Sequence, residues 1–525
     1  MKRTTRIGFL AANILCLHAA LIDMPLAQAQ APQNPKNSSS DYFAPNPDES
    51  RLEFTQEELE ELIDKRISER EKIKKEKEAA EKEAAASKPD LSMSAKWNKG
   101  VEFSTKDKAF KTHIGGRYQL DSGWFSTPEN VQKAINVPYG DGMDFRRARV
   151  RLDGTMYDSV DYAMEFDFVN SFRARNQPVS LVNPGFIENT TVAPTDFWWQ
   201  VKEVPWLGTV RVGQQKEPIG FEHQVSSRFL PFMERSYNQD TFYGGAFNGF
   251  TPGVSFLYGL GPAKESTFHF GVYKPTNNPF GYATGDGDYS TVARFTKLLL
   301  YSEDDSQVLH VGISGRQASA VSQAGVPGRV LPFRTRDAVR TGLSSDWSVP
   351  AGINLYGDDV QQANAEVAAI FGKWTMQSEY LVSSLQDARV DLSSPLGNEA
   401  VYHGGYFQIL RFLTDDHDHY DKDRAAFDRV TPRNNFKGSK GFGNAFLGGG
   451  AWQVGARYNY LDLNSIGLNG GILHNQTYGL NWFLNPNLKA QFNYFNTYRD
   501  VSQTVAFPSG SGWVHGFGMR IACDF

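Results

Sequence analysis

The sequence predicts an all-β transmembrane barrel of about sixteen antiparallel strands, with an N-terminal helical or coiled-coil extension. Three observations lead to this fold class. The last thirteen residues alternate strictly between two faces of a strand. Aromatic residues make up 13% of the chain although the mean hydropathy is only −0.45. Beyond the first 29 residues, no apolar run reaches the eighteen or so residues that a membrane helix needs. Strands escape that requirement because lipid-facing and lumen-facing residues alternate along them.

Residues 1–29 have the pattern of a secretory signal peptide. Basic residues at positions 2, 3 and 6 precede an apolar stretch from Ile7 to Leu21, and Leu26-Ala-Gln-Ala29 offers a small-x-small cleavage site. Without this segment, which holds three basic residues and one acidic residue, the totals of 54 and 59 become 51 basic and 58 acidic residues. The resulting net charge of −7 argues against a nucleic-acid partner.

Residues 30–54 are rich in Pro, Asn and Ser and are predicted to form a disordered linker. Residues 55–88 are predicted to form a helix or short coiled coil, since Thr55 and Glu58 make a capping box and Lys88-Pro89 ends the helix. A thin apolar stripe runs along it, formed by Leu59, Leu62, Ile63, Ile67 and Ile73. This stripe is either a coiled-coil seam between protomers or one side of a solvated spacer helix.

Residues 99–525 are predicted to form the barrel, because alternating segments separated by polar loops continue to the end of the chain. These segments are His113–Phe125, Phe145–Tyr157, Tyr162–Val169, Phe197–Lys202, Thr209–Gly213, Thr267–Tyr273, Val401–Phe412, Trp452–Leu461, Gln476–Phe483, Lys489–Tyr498 and Trp513–Phe525. At roughly 27 residues for each strand and its connection, this domain holds about sixteen strands, which is within the range that leaves an aqueous channel.

The final residue, Phe525, is the last aromatic of an alternating strand. This ending resembles the closing strand of bacterial outer-membrane barrels, where the terminal Phe is read by the insertion machinery, and it implies an outer-membrane location. With the C-terminus in the periplasm, Val501–Ser511 and Ile466–Asn475 should be external loops. The turn Asn485-Pro-Asn487 and the long segment Thr414–Gly449 should then lie on the periplasmic side.

Three arginines share one face of a predicted strand: Arg147, Arg149 and Arg151. Their parity places them in the lumen, because each would cost roughly 2–4 kcal/mol at the midplane on the lipid side. There they either attract anions or pair with Glu165, Asp167 or Asp153 to stabilise the wall. Arg146 has the opposite parity and must lie near a rim, at a bulge, or inward through a distortion.

Several motifs occur in a characteristic order along the predicted barrel. They are Gly115-Gly-Arg117-Tyr118, Phe145-Arg-Arg-Ala-Arg-Val-Arg151-Leu152, Val212-Gly-Gln-Gln-Lys216-Glu-Pro-Ile-Gly-Phe221, Ser226-Ser-Arg228 and Glu234-Arg235-Ser236. In these motifs and in its terminal Phe, the chain resembles the phosphate-selective porin O and P family over essentially the whole barrel. The resemblance implies a sixteen-stranded homotrimer that passes small anionic solutes across the outer membrane, with arginines such as Arg117 guiding them to a constriction.

Residues 218–236 follow a strand but lack its alternation, which predicts a loop folded into the lumen. By the resemblance, this loop contributes to a central anion site in which Ser226, Ser227, Arg228 and Arg235 take part. His223 stands where phosphate-selective members have a lysine, and an unperturbed imidazole would titrate near pH 6.5.

Two further positions also depart from the family pattern. Asp161 falls where another pore lysine is expected, and Trp198 falls near a position that the family fills with an acidic residue. Phosphate-like selectivity is therefore not assured by the retained scaffold.

A second basic cluster comprises Arg329, Arg334, Arg336 and Arg340. By the resemblance it forms an external arginine ladder, and the alternative is an ordinary exposed basic loop.

No catalytic, metal or cofactor site is predicted. The acidic segment Asp415–Asp421 lacks the turn-forming glycine of calcium loops and is expected to be a solvated loop. His223 beside Ser226 or Ser227 has no orienting carboxylate at a recognisable spacing, so hydrolytic chemistry is not expected.

The predicted function is an outer-membrane diffusion channel that prefers anions, including phosphate or polyphosphate-like solutes, with outer-membrane lipid around it. One alternative is a general or oligosaccharide porin, in which Trp198 and Trp199 would stack on sugars. Another alternative is an envelope tether that contacts the cell wall through the N-terminal helix.

Overall fold

The computed structural model describes residues 55–86, 92–134, 140–169, 192–243, 249–276, 280–285, 287–319, 330–340, 351–391, 393–394, 397–438, 448–504 and 510–525. The predicted signal peptide at 1–29, the predicted linker at 30–54 and Arg329 lie outside these residues. The chain divides into two units, Met1–Lys88 and Pro89–Phe525, which we describe separately.

The first unit contains helix α1, Gln56–Ala86. Its capping box is present, since the Thr55 amide donates to Glu58 Oε2 at 3.0 Å and the Glu58 amide donates to Thr55 Oγ1 at 3.4 Å. The stripe from Leu59 to Ile73 is about half exposed at each of its five positions. A coiled coil therefore stays a prediction. Among the described residues, no helix is long and apolar enough to cross a membrane.

The second unit is a closed barrel of sixteen antiparallel strands, as predicted. The strands are β3 (Phe110–Ser126), β4 (Gly142–Met156), β5 (Val160–Asp167), β6 (Ala193–Val204), β7 (Gly208–Lys216), β8 (Phe250–Leu260), β9 (Ser266–Tyr273), β10 (Ser290–Tyr301), β11 (Gln307–Ser319), β14 (Asp359–Phe371), β15 (Trp374–Leu385), β16 (Ala400–Phe412), β19 (Ala451–Ser465), β20 (Leu468–Asn485), β21 (Leu488–Asp500) and β22 (Gly512–Asp524). The barrel closes where β22 pairs with β3, from His515 opposite Ser126 to Asp524 opposite Arg117.

The remaining elements are short. They are β1 (Met93–Trp97), β2 (Val101–Thr105), β12 (Val330–Thr335), β13 (Ala351–Tyr356), β17 (Tyr420–Asp421), β18 (Ala426–Phe427), helices α2 (Glu129–Ala134) and α3 (Phe221–Gln224), and a π-helical turn at Gln239–Tyr243. The β1–β2 hairpin pairs with the start of β3, so the sheet begins before the predicted domain start at residue 99.

The interior of the barrel is polar and its outer surface is apolar. In β22, Phe517 and Ile521 are exposed on the outer face, while Arg520 is fully buried on the inner face. Strands of this kind suit lipid outside and polar groups inside. We call the end of the barrel that holds Phe525 the terminal rim, and the opposite end the far rim.

Connections at the two rims differ from the predicted pattern in one place. Residues 466–475 are predicted to be an external loop; their connection does lie at the far rim, but the prediction of a loop is wrong for residues 468–475. Strand β20 already begins at Leu468, and only Ile466 and Gly467 separate it from β19. Both residues have positive φ angles, 39° and 79°, so the chain turns tightly and the strand pairing extends almost to the far rim.

Three segments fold into the lumen. The long inner loop (217–243) follows β7, and the hairpin loop (330–340 with 351–356) contains β12 and β13. The rim segment (413–438) enters from the terminal rim. Because these segments fill much of the barrel, they decide which wall residues remain open to solute.

Candidate functional site in the lumen

The long inner loop crosses the lumen and binds strands far from its origin. Near its start, the amides of Phe221 and Glu222 donate to Glu379 of β15 at 2.8 and 2.7 Å. At its middle, Lys489 of β21 donates to the Leu230 carbonyl oxygen at 2.8 Å. The predicted infolding of residues 218–236 is therefore present, and the loop divides the lumen.

Glu234 attaches this loop to four arginines. Its carboxylate lies 2.7 Å from Arg146, 3.1 Å from Arg520, 3.4 Å from Arg340 and 3.8 Å from Arg147. The Glu234 side chain is 3% exposed. A buried carboxylate bound by several guanidinium groups stays ionised, and accordingly these charges hold the pKa of Glu234 well below its ordinary range despite burial.

Arg146 reaches the lumen through a β-bulge. Phe145 pairs with Leu120 and Arg147 pairs with Gln119, which leaves Arg146 as the extra residue of β4. The sequence left three possible locations for Arg146, and the structure shows that it lies at a bulge.

The arginine row of β4 lies in the lumen and is largely matched by carboxylates. Arg149 binds Asp167 at 2.8 Å and Glu165 at 3.0 Å. Arg151 binds the carboxylates of Asp153 at 2.8 Å and Asp196 at 2.9 Å. Arg147 donates to the Gln119 side chain at 2.7 Å. The wall-pairing alternative thus describes the contacts of this row, while its contribution to anion binding stays a prediction.

The Glu165 carboxylate lies close to Arg117 and Arg228, two of the arginines that the sequence analysis assigned to the anion channel. Arg117 Nη2 donates to both of its carboxylate oxygens, at 2.6 and 2.7 Å, and Arg228 lies 3.7 Å away. Arg117 also donates to the Ser227 hydroxyl at 2.9 Å and the Ser226 hydroxyl at 3.4 Å. The two serines are therefore close to Arg117 and Arg228, but Glu165 offsets much of the charge of both arginines.

Two other cations of the lumen have no such partner. The Lys216 ammonium donates to the carbonyl oxygens of His223, at 2.5 Å, and Val225, at 3.2 Å. Arg235 donates to the Glu222 carbonyl, at 3.1 Å, and to the same Val225 carbonyl, at 2.6 Å. Sharing one acceptor makes the two cations close neighbours. Both are partly exposed, and none of the salt bridges among the described residues includes either.

His223 is fully buried behind the long inner loop. Its Nδ1 contacts Gln239 Oε1 at 2.8 Å, and its ring packs edge-on against Tyr243. Burial lowers the pKa of His223 well below its ordinary value, and the nearby positive charges of Lys216 and Arg235 lower it further. An imidazole with this pKa stays neutral at physiological pH, so the expectation of titration near pH 6.5 does not hold at this position.

The remaining two departures from the family pattern also have identifiable neighbours. Asp161 lies at the start of β5, 3.1 Å from the Lys202 ammonium. Trp198 donates from Nε1 to Asp196 at 3.1 Å, and both side chains lie on the lumen face of β6. An acidic side chain is therefore present two residues from Trp198.

The basic cluster of the hairpin loop lies inside the barrel and is not part of an exposed loop. Arg336 and Arg340 each lie 2.9 Å from the Asp240 carboxylate of the long inner loop. Arg334 is partly buried in β12, opposite Gly352 of β13. A role for this cluster as an arginine ladder stays a prediction.

The rim segment is held by contacts to both the wall and the long inner loop. Tyr420 contacts His310 Nδ1 of β11 at 2.8 Å, and the Phe427 ring packs 4.8 Å from the ring of Phe221. Because these contacts are buried, the segment narrows the lumen on the terminal-rim side.

The acidic segment Asp415–Asp421 is only partly solvated. Asp418 is buried and accepts hydrogen bonds from Thr375, at 2.6 Å, and Gln453, at 3.1 Å. Asp416 is also buried, so the expectation of a solvated acidic loop is wrong for these two residues. No group of three or more His, Cys, Asp or Glu among the described residues could hold a metal ion.

Sequence reasoning missed Lys216 as a site residue and Glu234 as the common carboxylate of four arginines. Lys216 lies inside a quoted motif, but its parity is opposite to that of Arg211 on the same strand. The signal that could have found it is Gly213, whose φ of 125° marks an irregular backbone position between the two residues. Glu234 could not be paired in advance, because its arginines come from three separate parts of the chain.

Comparison with known proteins agrees with the motifs. The family model described as "Phosphate-selective porin O and P" matches residues 113–520. Porin O of Pseudomonas aeruginosa is 23% identical over 448 residues, covering 79% of this chain and 89% of that protein. An uncharacterized protein of Caulobacter vibrioides is 25% identical over 406 residues, covering 76% of this chain and 70% of that one.

Solved structures with a similar course of the chain include two outer-membrane proteins. The trimer form of OmpT of Vibrio cholerae has a TM-score of 0.45 at 10% identity, with 79% of this chain and all of that chain covered. Salmonella typhi OmpF in complex with daunomycin has a TM-score of 0.46 at 10% identity, with 82% and 100% covered. Since the family model spans more than three quarters of the sequence, the chain belongs to the phosphate-selective porin O and P family and is a diffusion channel of the bacterial outer membrane.

Proposed function

We propose that this channel prefers anions, and that its anion site is formed by Lys216, Arg235 and Ser226. The observation that carries the proposal is the pair of partly exposed cations that share the Val225 carbonyl oxygen and have no carboxylate partner among the described residues. Elsewhere in the lumen, the arginines bound to Glu165, Glu234 and Asp240 share these carboxylates, which offset part of their charge. A solute therefore meets net positive charge at Lys216 and Arg235.

The chemistry of this site suits an oxyanion such as phosphate. Arg235 Nη1 has no hydrogen-bond partner among the described residues and is not fully buried. Its N–H groups, the Lys216 ammonium and the Ser226 hydroxyl can donate to separate oxygens of one anion. The Lys216 ammonium also supplies positive charge beside the neutral His223, where related porins are expected to carry a lysine.

Conduction also requires that an anion leave the site. Asp196 is among the charges that act on Lys216, and its carboxylate opposes tight binding of an anion there. A site of opposed charges favours entry and permits release, as conduction demands. By the family resemblance, we also propose that the channel assembles as a homotrimer in outer-membrane lipid and that the stripe on α1 associates between protomers.

The proposal is tested by reconstituting the mature protein in planar lipid bilayers with unequal KCl concentrations. We expect a reversal potential of the sign for chloride, and we expect millimolar inorganic phosphate to reduce the chloride current. A cation-selective reversal potential would overturn the proposal. A potential near zero without phosphate block would indicate a general diffusion channel instead.

His223 should add no pH dependence to the selectivity between pH 5.5 and 8. Because the pKa of His223 lies well below its ordinary value, its imidazole stays neutral throughout this range and adds no charge on acidification. The change in reversal potential between the two pH values should therefore be the same in His223→Gln as in the natural protein. A rise in anion selectivity at pH 5.5 that His223→Gln abolishes would show that the buried imidazole titrates in this range.

A further inference from the structure

Trp198 and Arg211 form a stacked pair on the lumen face of β6 and β7. The Arg211 guanidinium carbon lies 4.0 Å from the centre of the Trp198 ring. Trp198 is opposite Gly213 in the strand pairing, and a Cβ atom at Gly213 would meet the Trp198 Cβ at 3.0 Å. The missing side chain at Gly213 leaves room beside the indole, and both side chains of the pair are partly exposed.

The pair is held by polar contacts at its edges. Arg211 Nε donates to the Gln200 side chain at 2.8 Å, and Trp198 Nε1 donates to Asp196 at 3.1 Å. Asp196 is in turn bound by Arg151 at 2.9 Å. These contacts fix the planes of the indole and the guanidinium group, so the surface that they present is preorganised for a ligand.

The guanidinium group of Arg211 retains unused donors. No salt bridge among the described residues includes Arg211, and its Nη1 and Nη2 groups form no hydrogen bond to them and are not buried. A guanidinium fork of this kind fits the two oxygens of a carboxylate or phosphate. An indole beside it adds apolar contact for whatever group carries the oxyanion.

We propose that Trp198 and Arg211 form a second anion site that selects aromatic oxyanions, namely carboxylates or phosphates attached to an aryl group. This inference rests on the proposed anion channel and names a class of solute for it. The site lies nearer the terminal rim than Lys216, because β7 runs from the terminal rim at Gly208 toward the long inner loop after Lys216. Asp196 acts on both Arg211 and Lys216, so one carboxylate lies near both sites and opposes tight anion binding at each.

The test compares block of the chloride current by benzoate and by acetate. Both carry a carboxylate, which is attached to a phenyl ring in benzoate and to a methyl group in acetate. In the natural channel, benzoate should block at roughly tenfold lower concentration than acetate, because only benzoate carries a ring that can stack on the indole. Trp198→Leu should make the two blockers equivalent, whereas Arg211→Gln should weaken both. Trp199→Leu is the matched control, since Trp199 is the adjacent residue on the outer face and its loss should leave the preference unchanged.

Equal block by benzoate and acetate in the natural channel would overturn the inference, and so would loss of the preference in Trp199→Leu as well as Trp198→Leu. Folding of each variant is checked by its mobility on gels with and without heating. Reversal potentials from the same membranes separate the two proposals. If the channel is anion-selective but shows no preference for benzoate, only the proposal of the second site is refuted. If it is cation-selective, both proposals are refuted.

Discussion

Replacing Lys216 by glutamate should convert an anion-preferring channel into one that prefers cations. A unit charge 4 Å from an anion contributes about 1 kcal/mol in water and about 4 kcal/mol at the effective dielectric of a protein surface. Reversing its sign should therefore change the anion-to-cation permeability ratio by roughly tenfold or more. Reversal potentials in a KCl gradient measure this ratio directly, and phosphate block should be lost in the same variant.

Two further variants isolate the charge of Lys216 from its other properties. Lys216→Arg keeps the charge and should retain anion preference. Lys264→Glu makes the same change at an exposed lysine on a terminal-rim turn, 65% exposed and 3.9 Å from Asp423, and should shift the reversal potential little because exposed charges are screened by salt. If Lys216→Glu left the reversal potential unchanged, the anion site would have to lie elsewhere in the lumen.

Replacing Glu165 by glutamine should cost about 3–5 kcal/mol of unfolding free energy, the range seen when one partner of a buried ion pair is removed. Glu165 is fully buried, and Arg117, Arg149 and Arg228 lie around it. Without its charge, these guanidinium groups repel one another in a largely buried site. Urea unfolding of the reconstituted protein measures the loss.

A matched substitution and a double variant make this second prediction specific. Glu129→Gln makes the same change in an exposed salt bridge to Lys133 on the far rim, where Glu129 is 80% exposed, and should change stability by less than about 1 kcal/mol. Combining Glu165→Gln with Arg117→Gln should destabilise less than the sum of the two single changes, because Glu165 is the only carboxylate that binds Arg117 among the described residues, so the second change removes a charge that the first left unpaired. Strictly additive losses would contradict the proposed coupling.

The alternation of side chains predicted the barrel, but it identified some strands better than others. Five of the sixteen were not among the segments singled out in the sequence: β8, β10, β11, β14 and β15. In β14 the outer face carries Gln361, Ala363 and Ala365, so small and polar residues weaken the contrast between the two faces. Such strands are defined by pairing with their neighbours, since β14 pairs along its full length with β11 and almost fully with β15.

The alternation of side chains also predicted some of the residues that face the lumen. The inward positions of Arg147, Arg149 and Arg151 and the infolding of residues 218–236 follow from local patterns. For Arg146, the alternation left three possible locations: near a rim, at a bulge, or inward through a distortion. The pairing of β3 with β4 shows that Arg146 lies at a bulge. Burial of His223 could not be read from its neighbours in sequence, because Gln239 and Tyr243 cover it only after the loop has folded back.

The sequence alone thus determined the fold class, the family and the inward position of Arg147, Arg149 and Arg151, because these depend on local alternation and motif order. Only the tertiary structure decided which of those charges are neutralised. Arg520 is matched by Asp121, 399 positions away, and the arginines around Glu234 also come from distant strands. Coulomb energies depend on distance in space, so lumen cations without a carboxylate partner, such as Lys216, Arg211 and Arg235, become apparent only when the strands and the long inner loop are assembled.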